Sequence, residues 1–183
     1  GALPPGGRSL FPLSLGTKLK TAGEQNGFYK IDIGSGRFGW VDGKCISGIS
    51  PLKDTGVLRS DIMNTAGLFL QSPYLWGGRS FYMPFAADVS SGVDCSGLVN
   101  LAYRAQGIDL PRDAGDQRLM SVSVTADELK PADLIFVSAK NNFDRTVHVM
   151  LYAGGENIIE SPETGKNVRV INFKGKFGMD IAE

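Results

Sequence analysis

In 183 residues the chain has a single histidine, His148, and two cysteines, Cys45 and Cys95. So few soft ligands exclude a His-rich or Cys-rich metal centre, and zinc is not expected. Two cysteines cannot make a disulfide framework, and one bridge would consume the thiol that any chemistry needs. No run of about 18 apolar residues is present, so no segment is expected to span a membrane. An excess of either charge is also lacking: Lys plus Arg and Asp plus Glu number 19 each. With no basic excess there is no footprint for nucleic acid, and with no acidic tail there is no sign of disorder. No signal peptide is visible. The opening GALPPGGRS reads as a cut end rather than a natural start, which leaves room for a removed export signal. The remaining composition, 42% hydrophobic and 21% charged, suits a globular chain of one domain, or of a small domain and a medium one. No cofactor is called for, and the chain is read as a monomer.

The first fifty residues are rich in Gly, with short apolar stretches: SLFPLSLGTKLKT, GFYKIDI and RFGWVDGKCI. Pieces of four to seven residues split by Gly, Asn and Ser predict short strands of a small β-barrel. About four are visible, one of them in the middle of SLGTKLKT. Trp40 is expected in the barrel core, and Cys45 is expected to be buried there. Residues 47–54 read as a linker. Asp54 is placed to cap a helix from about Thr55 to Leu70, with Ile62, Ala66 and Phe69 on one face. The aromatics Trp76, Phe81 and Tyr82 read as core or groove wall. A second helix is predicted from Cys95 to about Gly107, and LPRDAGDQRLM reads as a loop and a short helix. Then come four strand-like pieces, DLIFVSA, TVHVMLYAGG, NIIESP and VRVINF. The expected class is α+β, a helix cluster followed by an antiparallel sheet.

Within GVDCSGLVNLAY, Cys95 stands at a loop-to-helix junction between Asp94 and Ser96. A structural cysteine prefers an apolar pocket, whereas a helix N-terminus stabilises a thiolate. A thiol also needs a base at neutral pH, and imidazole is the usual one. Spacing alone leaves open a buried cysteine and an unrelated histidine. Three features favour chemistry. His148 alternates with Met150 and Tyr152 on one face of its strand. The polar run at the helix start offers backbone N–H groups to an oxyanion. Finally, a hairpin of 147–153 with 157–161 would set Glu160 opposite His148, where it could orient the ring.

PYLWGG, VDCSGLV, LPRDAGDQ, LKPADLIF and HVMLY…IIES, in that order, resemble the NlpC family of cell-wall cysteine peptidases. The GWV piece of the first fifty residues resembles a bacterial SH3-like domain, which often precedes such a peptidase. The resemblance implies an SH3-like β-barrel over 8–49 and a papain-like NlpC peptidase domain over 55–183. It implies a nucleophile at Cys95, a base at His148 and a third polar residue at Glu160. Tyr74 then assists the oxyanion or the substrate, Asp94 and Ser96 line the groove with Trp76 in its wall, and Arg112 and Asp113 form a polar pair at the groove edge. The implied substrate is the D-γ-glutamyl–diamino acid bond of peptidoglycan stem peptides, in the bacterial envelope or, for a recycling enzyme, in the cytoplasm. An amidase or acyltransferase on the same scaffold, and a decayed peptidoglycan-binding module, are the rivals.

Two departures from the family pattern stand out. Glu160 replaces the usual His, Asn or Gln and should favour a charged imidazolium. Ala132 replaces a common Gly, which costs little if its φ is negative. Asp94, a like charge beside a thiolate, should raise the thiol pKa unless a substrate ammonium relieves it. This tension, with a linker short enough to keep the SH3-like domain close to the groove, predicts preference for a free amino-terminal L-Ala.

Overall fold

In a computed structural model, residues 10, 11, 13–49, 54–80 and 91–181 are described. Phe81, Tyr82, the opening GALPPGGRS and residues 50–53 of the expected linker lie outside them. The chain divides into two compact units, Gly1–Pro51 and Leu52–Glu183.

The first unit holds an antiparallel sheet in the order β1 (Thr21–Gln25), β2 (Phe28–Asp32), β3 (Phe38–Asp42). Three strands are seen among the described residues, not four, and TKLKT is not one of them. Asn26 and Gly27, both at positive φ, make the two-residue turn of the first hairpin. Register counts outward from that turn, so Gln25 pairs with Phe28 and the strand starts only at Thr21, the last residue of TKLKT. Ile31 is buried at 3%, but Trp40 is 39% exposed and Phe38 45%, with the Lys30 ammonium 4.2 Å from the Phe38 ring centre. Trp40 is therefore not a core residue. Nor is Cys45, which is exposed in a short 3-10 turn after β3.

In the second unit, α1 (Thr55–Gly67) starts where Asp54 accepts from the Gly56 and Val57 amides. It ends three residues before the expected Leu70, yet Ile62, Ala66 and Phe69 are all buried. Helices α2 (Cys95–Arg104) and α3 (Ala114–Met120) follow. The sheet is antiparallel in the order β4 (Leu134–Ala139), β5 (Asn142–Gly154), β6 (Asn157–Glu160), β7 (Arg169–Asn172), and α4 (Phe173–Phe177) closes the unit. Helices α2 and α3 pack on β5, the longest strand, and Val149, Met150 and Leu151 are buried at 1% or less. This is the expected helix cluster on an antiparallel sheet.

Ala132 departs from expectation. Its φ is 76°, the left-handed region that penalises any Cβ. It is held there because its N–H donates to Tyr152 O at 2.9 Å while the Tyr103 hydroxyl donates to its carbonyl at 2.6 Å.

Candidate active site

Helix α2 begins at Cys95 because Asp94 takes the N-cap, its Oδ1 accepting from the Gly97 amide at 2.7 Å. The PYLWGG loop lies directly on this helix start. The Asp94 amide donates to Gly78 O at 3.1 Å, and a Cβ at position 97 would stand 2.2 Å from that same oxygen. Only glycine admits the contact. Tyr74 bridges to Val93 in the same layer. On the sheet side, the Ser161 hydroxyl donates to Val93 O at 2.7 Å. The residue after Glu160 is thus pinned to the segment that delivers Cys95.

His148 reaches this place from β5. Leu151 pairs with Ile159 and Tyr152 with Ile158, so Glu160 falls across from Met150, one pleat away from His148. The two side chains share a face and meet diagonally, with His148 Nε2 at 2.9 Å from Glu160 Oε2. Because an ionised carboxylate only accepts, Nε2 carries the proton. Nδ1 is left for the Cys95 thiol, which is hydrogen-bonded to His148. Cys95, His148 and Glu160, distant in sequence, therefore form one chain of contacts.

The electrostatics follow from these partners. Burial pushes the Cys95 thiol up, but the hydrogen bond and charge of His148, helped by the Val149 backbone, bring it below its ordinary value; Asp94 opposes them. Burial pulls the imidazole down, yet its bonds to Cys95 and Glu160 carry it above its ordinary value, with Lys176 opposing. Thiolate and imidazolium therefore stabilise each other. Burial, with the charges of Cys95 and Asp94, raises the Tyr74 hydroxyl, so it stays a neutral donor.

Glu160 is fully buried and has cation partners absent from the sequence reading. Oε1 accepts from Arg169 Nε at 3.1 Å and Nη2 at 2.9 Å. Oε2 accepts from Lys176 Nζ as well as from His148. Burial raises this carboxyl, but bonds to His148, Lys176 and Arg169 overrule it and bring it down to about 2. The Arg169 partnership had a signal, because NIIE and VRVIN pair as a hairpin with Glu160 opposite Arg169. Lys176 had none, since α4 alone brings it back.

Asp94 differs from its expected role. Its Oδ1 accepts from Gly97 N, from Arg112 Nη1 at 3.0 Å and from the Ser96 hydroxyl at 3.3 Å. Its Oδ2 accepts from Arg112 Nη2 at 2.6 Å and Gly77 N at 3.0 Å. That carboxylate is saturated, and the cation relieving it is Arg112. Of the expected polar pair, Arg112 turns toward Asp94, while Asp113 stays exposed at the α3 N-cap with no cap bond from its side chain. Ser96 is buried, its hydroxyl accepting from Arg112 Nη1 at 2.9 Å, so it braces this cluster. Gln117, also absent from the sequence reading, donates to Ser96 O at 3.1 Å and Pro111 O at 2.9 Å, joining α3 to the start of α2. Trp76 is 83% exposed, not core. Among the described residues, no three His, Cys, Asp or Glu side chains cluster to hold a metal ion.

The NlpC/P60 family model matches residues 71–180, which include Cys95, His148 and Glu160. The chain is 34% identical over 168 residues to the gamma-D-glutamyl-L-lysine dipeptidyl-peptidase of Bacillus subtilis (strain 168), covering 91% of this chain and 52% of that one. It thus spans about half the length of the curated relatives it matches. A solved NlpC/P60 family protein from Bacillus cereus ATCC 10987 superposes with a TM-score of 0.71 at 29% identity, over 85% of this chain and 48% of that one. A structure of RipA mutated at a glutamate superposes with a TM-score of 0.54 at 26% identity, over 64% of this chain and 56% of that one.

Proposed function

The chain belongs to the NlpC/P60 family, a family of cysteine peptidases, and from that premise we propose that it is an endopeptidase hydrolysing the D-γ-glutamyl–diamino acid amide of peptidoglycan stem peptides. One observation carries the reading: a helix-start thiol, lowered in pKa, hydrogen-bonded to an imidazole that a buried carboxylate orients. The dipeptidyl-peptidase name of the Bacillus subtilis relative supports the bond and the substrate class.

In the proposed reaction the Cys95 thiolate attacks the γ-carbonyl carbon. The oxyanion is met by first-turn amides of α2, which lack intrahelical partners, and by the neutral Tyr74 hydroxyl. His148 then protonates the leaving amine from Nδ1, and a thioester remains. His148 next takes a proton from water, which attacks the thioester and releases the thiol and the free γ-carboxyl group. Glu160 keeps Nε2 protonated throughout and so selects the reactive tautomer.

Preference for a free amino-terminal L-Ala is part of the proposal, with its carboxylate reassigned. Asp94 has no capacity left for an ammonium, whereas Asp113, exposed beside Arg112, does. Trp76 is available as groove wall. The three-stranded first unit is read as an SH3-like module over 8–49, with the peptidase domain over 55–183. An envelope setting accords with the cell-wall hydrolases that it resembles.

The test compares L-Ala-D-γ-Glu-diaminopimelate with its N-acetylated form. Cleavage at the γ-glutamyl bond is expected, lost at least about a hundredfold in Cys95→Ala. The free amine should be favoured at least about tenfold in kcat/KM, with that ratio collapsing in Asp113→Asn. Cleavage elsewhere, or survival in Cys95→Ala, overturns the reading.

A further inference from the structure

A buried carboxylate costs several kcal/mol unless it is paired and hydrogen-bonded. Glu160 is paired twice over, by Arg169 from β7 and Lys176 from α4. Each oxygen has a different task. Oε1 is occupied by the two Arg169 donors, which fixes the plane of the carboxylate. Oε2 is shared between Lys176 and the imidazole. The formal sum matters as much as the geometry. One negative charge and two positive charges leave the cluster at +1 before His148 is counted. Glu160 therefore does not act on the imidazole as an unbalanced anion, which is what the sequence alone suggests.

We infer that Lys176 and Arg169 are positioning residues of the reaction, acting through Glu160 to hold the imidazole in line while cancelling the carboxylate's charge so that the imidazolium remains able to give up its proton. The inference rests on the peptidase reading of Cys95 and His148. Its chemical sense lies in the second half of acylation. An unbalanced carboxylate would make the ion pair stable but the imidazolium a weak acid toward the leaving amine. A cation on the same oxygen tempers that, and Lys176 does oppose the other influences on His148. The groups facing the imidazole are Cys95, backed by Asp94 and Arg112; Glu160; and, beyond Glu160, Arg169 and Lys176. Removal of Lys176 leaves both the oxyanion side and the Asp94 cluster untouched.

The signs are definite. Removing a cation raises both apparent pKa values of the thiol–imidazole pair, the upper one more because Lys176 is bonded to the group that holds the imidazole. Removing the carboxylate lowers both. Removing the two together returns them toward the parent.

The experiment uses the full chain with Cys45→Ser, so that Cys95 is the only thiol. Alkylation by iodoacetamide and kcat/KM on the free tripeptide are followed against pH for Lys176→Met, Lys176→Arg, Glu160→Gln and the Glu160→Gln/Lys176→Met double variant. The upper limb should rise by about half a pH unit or more in Lys176→Met and fall in Glu160→Gln. It should stay near the parent in Lys176→Arg. The double variant should exceed Glu160→Gln alone in kcat/KM by about fivefold, because the cation that Glu160 no longer balances has been removed. Unmoved profiles in Lys176→Met, or a double variant no better than the single one, would overturn the inference. The alkylation arm needs no substrate. If the parent fails to cut the tripeptide, the peptidase reading falls while the alkylation profiles still decide the role of Lys176.

Discussion

Two carboxylates flank the Cys95–His148 pair, and both are tied to arginine, yet they do different work. Asp94 is woven into backbone: it caps α2 and receives the Gly77 amide along with the Arg112 fork. Glu160 receives only side chains, His148, Lys176 and Arg169, of which the two cations are partly exposed to water. A carboxylate bonded to amides that cannot leave is part of the scaffold. One bonded to side chains that can turn to solvent tunes chemistry at modest cost to the fold. Both roles lie within a few residues of the reacting atoms, so nearness to the site does not separate them.

The sharpest way to break this comparison is to remove each carboxylate in turn. Asp94→Ala should cost about 3 kcal/mol or more, combining a lost cap with an arginine left without its partner. Denaturant unfolding checks this, and activity should fall with the fold. Glu160→Ala should cost less stability, because the Arg169 and Lys176 side chains are 36% and 22% exposed and can reach water. Its kcat/KM should nevertheless fall at least about tenfold. Similar stability losses in the two variants would dissolve the distinction.

A second test keeps Asp94 and attacks what it holds. Gly97→Ala places a Cβ against Gly78 O, a backbone atom that cannot swing aside. About 1–3 kcal/mol should be lost, and alkylation of Cys95 at low pH should become slower as the loosened helix start stabilises the thiolate less. A smaller effect is expected in the opposite direction at Ala132. Ala132→Gly should stabilise by about 0.5–1 kcal/mol, since glycine accepts φ 76° freely, with kcat unchanged. Thermal midpoints and steady-state rates read both.

The subtlest prediction uses acid. The Glu160 carboxyl sits at about 2 in the folded protein, against an ordinary 4.5. A depressed carboxyl contributes stability that is fully present above its unfolded value and is lost as pH falls through the folded one. The difference in unfolding free energy between the parent and Glu160→Gln should therefore be flat above about 4.5 and close toward pH 2. A difference independent of pH down to 2 would mean that Glu160 gains nothing from its charge.

Much of this molecule follows from local pattern. The α1 cap at Asp54, the start of α2 at Asp94, the alternation of β5 and the α+β order are all legible because caps and periodicities involve neighbours in the chain. The candidate nucleophile, base and orienter could be named for a similar reason: a thiol at a helix start and a lone histidine on a strand are recognisable residue by residue. What surrounds them could not be named. Whether Asp94 faces a ligand or Arg112 depends on how α3 returns to α2, and the environment of Glu160 depends on α4 carrying Lys176 back to β6. Trp40 and Cys45 lie outside the core for a related reason: Trp40 takes its face from the pairing of β3 with β2, where it stands across from Lys30, and Cys45 falls past the strand in the 3-10 turn. Sequence by itself determined which groups could do chemistry; tertiary structure alone decided which charges balance one another, because Coulombic and hydrogen-bond partners are chosen by distance in space and not along the chain.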